Sequence, residues 1–149
     1  MHRLLATALV MLGLLASTSM PATAGEFGTR EEAQAMTEKA AALLKAEGDK
    51  AFPKLQDPKG EFIDRDLYVF VFDSKGTFLV HGAKQALVGK EGLPIRDPNG
   101  FPIIAEFLKV KDTAWVDYHW LHPKTNKIQP KSAYIINTGT YWVGVGYYK

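Results

Sequence analysis

The segment Tyr68-Val-Phe-Val-Phe-Asp-Ser-Lys-Gly-Thr-Phe-Leu-Val-His-Gly82 contains the strongest strand signal in the chain. Residues 68–72 are an unbroken β-branched and aromatic run, which is typical of a strand buried on both faces. The residues from Asp73 to Gly76 are typical of a tight turn, and residues 77–80 are predicted to form the return strand. The segment therefore predicts a β-hairpin that ends at His81 and Gly82, where the glycine leaves room for another group.

The first 24 residues have the three parts of a secretory signal peptide. Arg3 gives a basic start, Leu4 to Leu15 form an apolar run, and Ala22-Thr23-Ala24 is a small-residue cleavage site. The apolar run is shorter than the about 20 residues that a membrane-spanning helix needs, although an uncleaved anchor is the alternative. We expect cleavage after Ala24 and a periplasmic or secreted domain over residues 25–149.

The composition narrows the possible functions. The chain has no cysteine, which excludes disulfides and thiolate metal sites. The formal net charge of +2 falls to +1 without Arg3, so the domain is not an obvious binder of nucleic acid. His119 and His122 are three residues apart and could suggest a metal site together with His81. No carboxylate pair at helical spacing accompanies them, so we predict neither a metal nor another cofactor.

The rest of the chain predicts an α+β domain. Thr29-Arg-Glu-Glu32 is a capping box that starts a helix over residues 30–47, which Gly48 ends. Residues 83–100 are a long irregular connection, typical of a binding loop or lid, and a short helix begins after it at Phe101. Hairpin connections imply an antiparallel sheet of about five strands, a PAS-like arrangement with the long N-terminal helix on one face. The last three predicted strands cover residues 115–120, 130–138 and 141–148.

The order of the motifs resembles the single Cache domain, a family of extracytoplasmic sensory modules of bacterial chemoreceptors and histidine kinases. The motifs are Asp57-Pro-Lys-Gly60, Tyr68-Val-Phe-Val-Phe-Asp73, His81-Gly82, Leu87-Val-Gly-Lys90, Asp97-Pro-Asn-Gly100, Trp115-Val-Asp-Tyr-His-Trp120, Pro130-Lys-Ser-Ala-Tyr134 and Gly144-Val-Gly146.

The resemblance implies a pocket for small ligands, often short carboxylates. Members of the family in receptors are tethered by transmembrane helices to signalling domains, whereas the sequence ends at Lys149. We therefore expect a binding domain without its own output module. Its expected partners are a small organic acid and a membrane receptor, kinase or transporter.

Lys131 and His81 are the charged or titratable side chains most suited to an anion. Lys131 stands at the start of a strand, two residues before an apolar run, where a charge-assisted hydrogen bond to a carboxylate would explain it. The alternative is a solvated lysine that protects a sheet edge. His81 could donate to an anion or, alternatively, bond a backbone carbonyl in a structural role.

Aromatic side chains complete the predicted ligand site. Each phenol of Tyr68, Tyr118 and Tyr134 needs a partner if it is buried, which a ligand could supply. Trp115 and Trp120 are assigned as cavity walls, with ordinary core packing as the alternative for both.

Three functions remain open from the sequence. The first is carboxylate binding without turnover. The second is a protein-interaction module with a filled cavity. The third is a small exported enzyme, which no nucleophile elbow, phosphate-binding loop or catalytic triad order supports. We therefore predict that the domain is not an enzyme.

Overall fold

The computed structural model describes residues 25–149, so the predicted signal peptide lies outside the described residues. Helix α1 spans Arg30–Glu47, as the capping box predicts. Thr29 Oγ1 accepts from the Glu32 amide, and a Glu32 carboxylate oxygen accepts from the Thr29 amide at 2.8 Å. Gly48 ends the helix with a φ of 59°, a conformation that favours glycine.

Two further helices and six strands follow α1. Helix α2 (Phe52–Gln56) comes after a single 3₁₀ turn at Gly48–Ala51, and helix α3 (Ile103–Leu108) comes after the long connection. The strands are β1 (Ile63–Asp64), β2 (Leu67–Phe72), β3 (Phe78–His81), β4 (Thr113–Leu121), β5 (Ile128–Asn137) and β6 (Trp142–Tyr148).

The strands form one antiparallel sheet with the order β1-β2-β6-β5-β4. Strand β3 pairs with β2 along the edge that β1 also uses. The Val69 amide donates to the Phe62 carbonyl, and the Val69 carbonyl accepts from the Gly82 amide on the same side. The five predicted strands are therefore present, together with a two-residue β1 beside the start of β2, and the PAS-like α+β prediction is confirmed.

Strand β2 is buried on both faces, which explains its continuous apolar sequence. Its odd-numbered residues, from Leu67 to Val71, pack in the core beneath α1. Its even-numbered residues, from Tyr68 to Phe72, pack in a second core with α3. The sheet thus separates a helix-covered face from an aromatic face, and the aromatic face holds the candidate site.

Candidate functional site

Lys131 lies on β5 with its side chain 1% exposed on the aromatic face of the sheet. Its Nζ donates to Tyr68 Oη at 2.8 Å and lies 3.4 Å from Tyr148 Oη. The same atom is 4.0 Å and 4.6 Å from the centroids of the two phenol rings, within cation–π distance. Gly146 makes this arrangement possible, because a Cβ there would lie 2.4 Å from Lys131 Cε.

No carboxylate within residues 25–149 forms an ion pair with this buried lysine. Burial lowers the pKa of Lys131 well below its ordinary value, and the charge of Asp66 opposes that shift only in part. Asp66 accepts from the Gly28 amide at 2.7 Å and lies 3.1 Å from His122 Nε2, so both of its oxygens are engaged elsewhere. Among residues 25–149, the site therefore has a buried lysine amine and no counterion for it.

His81 sits at the end of β3 and is 3% exposed. Its Nδ1 accepts from the Lys84 amide at 2.9 Å, which assigns the ring proton to Nε2. Burial lowers the pKa of His81 to about 3, and the charge of Lys131 contributes to the shift. The neutral imidazole thus holds the start of the connection with one nitrogen and keeps an N–H donor on the other.

Two adjoining spaces meet at the walls formed by Tyr68, His81 and Trp120. The inner space, between the sheet and α3, is lined mainly by aromatic and aliphatic side chains and includes Tyr118. Its volume of about 10 Å³ is close to that of a single water. The outer cleft has a volume of about 560 Å³ and reaches the cationic side chains Lys84 and Arg96.

Five of the seven predicted site residues belong to this aromatic face. Tyr68, His81, Tyr118 and Trp120 line the inner space, and Lys131 contacts Tyr68 beside it.

Trp115 and Tyr134 lie on the opposite face, packed against the core beneath α1. Their rings are 5.1 Å apart, and the Arg30 guanidinium lies 3.9 Å above the Trp115 ring. Side chains alternate along a strand, so residues three positions from Lys131 and Tyr118 point to the other face. These two residues are therefore left out of the site proposed below.

Tyr148 and Asp66 are two site residues that the sequence prediction missed. Tyr148 pairs directly with Lys131 across the sheet, and its hydroxyl donates to the Leu121 carbonyl at 2.8 Å. Gly144, Gly146 and Tyr148 lie two positions apart on β6 and therefore share one face of the strand. This spacing could have identified Tyr148 from the sequence. Asp66 follows a turn residue with positive φ, Arg65, and its pairing with His122 spans 56 positions, which no local pattern indicates.

The remaining histidines pair separately with aspartates. His119 Nδ1 lies 3.3 Å from Asp97, whereas His122 contacts Asp66. Among residues 25–149, no group of three His, Cys, Asp or Glu side chains lies close enough together to hold a metal ion. Asp97 also accepts from the Asn99 and Phe101 amides.

The model of the family described as single Cache domain 2 matches residues 10–148 of this chain. Among curated proteins, the sensor histidine kinase MctS of Rhizobium johnstonii is 31% identical over 88 residues, covering 56% of this chain. That match spans only 19% of the kinase.

Solved structures share the fold. A methyl-accepting chemotaxis protein from Vibrio parahaemolyticus matches with a TM-score of 0.66 and 23% identity over 79% of this chain and 86% of its own. A Cache chemosensory domain, from work on the structural basis for carboxylic acid recognition, matches with a TM-score of 0.67 and 21% identity. The match covers 79% of this chain and 91% of that domain. Within residues 25–149, no helix has the length and apolar character needed to cross a membrane.

Proposed function

The chain belongs to the single Cache domain family, and we propose that it binds a short-chain carboxylate as an extracytoplasmic ligand-sensing domain. Domains of this family are extracytoplasmic sensory modules that bind small ligands. The finer proposal, a carboxylate held by Lys131, rests on the geometry of that residue. Lys131 is fully buried, lies against two phenols and has no ion-pair partner within residues 25–149.

A carboxylate ligand would supply the missing counterion. Its oxygens could accept from the Lys131 amine, from His81 Nε2–H and from the phenol of Tyr68 or Tyr118. Charge-assisted hydrogen bonds of this kind contribute about 1.5–3 kcal/mol each when they are buried. The aromatic walls would cover a short apolar tail. At about 1.5 kcal/mol per non-hydrogen atom, a six-atom acid reaches a ceiling that permits micromolar binding.

We also propose a partner protein that responds to ligand binding. The MctS match suggests a signalling role, because that relative is a sensor histidine kinase. We propose that a membrane receptor, kinase or transporter responds to the occupied domain, and that the domain acts in the periplasm or outside the cell. Binding rather than catalysis is proposed, because the relatives that the chain matches are sensory proteins.

Calorimetry with acetate, propionate, lactate and succinate tests the carboxylate proposal. We expect at least one acid to bind the wild-type domain, and Lys131→Met to weaken that binding by at least tenfold, because the variant removes the buried amine that would pair with the carboxylate. Lys39→Met is the matched control, since Lys39 is exposed on α1 and pairs with Glu61. Unchanged affinity in Lys131→Met would refute the assignment of Lys131.

The small inner space favours a second candidate function, a protein-interaction module with a filled cavity. A volume of about 10 Å³ does not admit an acid without rearrangement. In that case no short acid would raise the melting temperature, and the domain would co-purify with a membrane protein. A thermal-shift screen with the same four acids separates the two functions.

A further inference from the structure

We propose that ligand binding is coupled to proton uptake, so that the empty domain holds Lys131 as a neutral amine and the occupied domain holds it as an ammonium beside the carboxylate. The inference rests on the proposed function and concerns the regulation of the same site. It makes the domain a sensor of acid concentration and pH together.

The hydrogen-bond partners of Lys131 suit a neutral amine better than an ammonium. An ammonium has three N–H donors and no acceptor. Within residues 25–149, Nζ forms hydrogen bonds only with the hydroxyls of Tyr68 and Tyr148, and the latter already donates to the Leu121 carbonyl. A neutral amine needs fewer acceptors and could itself accept from Tyr68. The empty site is therefore complete without a charge on Lys131.

Apart from the ring faces of Tyr68 and Tyr148, the groups that surround Lys131 offer nothing that compensates a buried positive charge. Burial raises the pKa values of Tyr68 and Tyr118, so their phenols stay neutral at physiological pH. Burial also raises the pKa of Tyr148, and His81 is neutral above a pH of about 3. Asp66, in the turn before β2, is the carboxylate whose charge acts on the Lys131 pKa, and its oxygens contact Gly28 and His122.

The cleft on the other side of Lys131 adds no free counterion. That cleft, of about 330 Å³, brings Lys131 near Asp97, Asp117, His119 and Lys149. Asp117 pairs with Lys149 at 2.7 Å, and Asp97 accepts from three backbone amides and lies beside His119. The desolvation that lowers the pKa of Lys131 is thus opposed only by Asp66 until a carboxylate enters. The entering carboxylate restores the ordinary preference of the lysine for its proton.

Titration calorimetry at pH 8 in phosphate and in Tris buffer measures the coupling directly. The two buffers have different ionisation enthalpies, so the difference in observed heat gives the number of protons taken up. With whichever of the four acids binds, we expect uptake approaching one proton and an affinity that falls up to tenfold per pH unit above the free-state pKa of Lys131. Uptake of zero protons with intact binding would overturn the inference and leave the proposed function standing.

Two variants and one ligand-free measurement complete the test. Lys131→Arg keeps a permanent charge, so proton uptake should vanish, whereas Lys39→Met should behave as the wild type. If Lys131→Arg does not fold or no acid binds, NMR of ¹³Cε-labelled lysine in the free wild-type domain still decides the protonation state. One lysine signal that titrates well below the others supports the inference, and titration of every lysine in the ordinary range overturns it.

Discussion

At the residue scale, the aromatic face of the sheet contains titratable groups that burial keeps neutral. Burial raises the pKa values of Tyr68 and Tyr118 and lowers that of His81, so these side chains act as hydrogen-bonding groups rather than as ions. Lys131 is the residue on which the charge balance of the site depends. Burial of His81 as a neutral group should lower the stability of the domain at acidic pH.

His81 should make the domain less stable as the pH falls. Its folded pKa of about 3 lies below the ordinary value of 6.5, so the unfolded chain takes up a proton that the folded domain excludes. Its contribution is complete above pH 6.5 and is lost as the pH falls towards 3, at about 1.4 kcal/mol per pH unit. Urea unfolding at pH 7, 6, 5 and 4 should show a shallower dependence for His81→Gln than for the wild type.

Ala42→Gln serves as the control for this dependence, because Ala42 is exposed and neither side chain is titratable. Its unfolding free energy should follow that of the wild type across the same pH range. Imidazole proton shifts of the folded wild-type domain provide a check that needs no variant. A His81 resonance that titrates between pH 6 and 7 would contradict the assignment.

At the element scale, helix α1 approaches the sheet closely because its inner face is built from small residues. Ala33 and Ala40 are fully buried, and Ala41 and Leu44 are nearly so. Such a thin apolar stripe does not stabilise an isolated helix, so α1 depends on its packing against the sheet. Larger side chains on this face should therefore be poorly tolerated.

Ala40→Met should destabilise the domain by about 1–3 kcal/mol, because an over-packed core forces strained side chains or a shift of the helix. Ala42→Met is the matched control on the same helix, since Ala42 is exposed. That change should alter the free energy of unfolding by less than about 0.5 kcal/mol. Urea unfolding of both variants measures the difference, and equal effects would show that α1 does not pack as described.

The elements were predictable where local chemistry specifies them. The capping box at Thr29 predicted the start of α1, and Gly48 predicted its end. The apolar run of β2 predicted a strand buried on both faces. The two-residue β1 was missed because so short a segment has no periodicity to read. The alternation rule would have separated Trp115 and Tyr134 from the site. The pairing of Asp66 with His122 depends on tertiary folding, which no local pattern encodes.

At the scale of the whole molecule, the connection between β3 and α3 lies beside the outer cleft of the site. Residues of this connection, from Ala83 to Pro98, wall the outer cleft. They are attached to the β2–β3 hairpin mainly through the amides of Gly89, Gly92 and Phe78. The central strands, in contrast, are bonded along their whole length. The connection should therefore open at a lower free energy than the sheet.

Acid binding should slow amide hydrogen exchange in this connection. The inner space of about 10 Å³ is too small for a short acid, so its walls must separate for the ligand to enter or leave, and two of them, Phe78 and Ile104, lie against Gly92 of the connection. A bound acid then disfavours the open state, and at 100 times its dissociation constant exchange at Gly89 and Gly92 should slow by about 100-fold. The Gly60 amide, bonded in the Asp57 turn, is the internal control and should exchange at an unchanged rate. Exchange at Gly89 and Gly92 that does not respond to a bound acid would mean that the ligand enters without moving this connection.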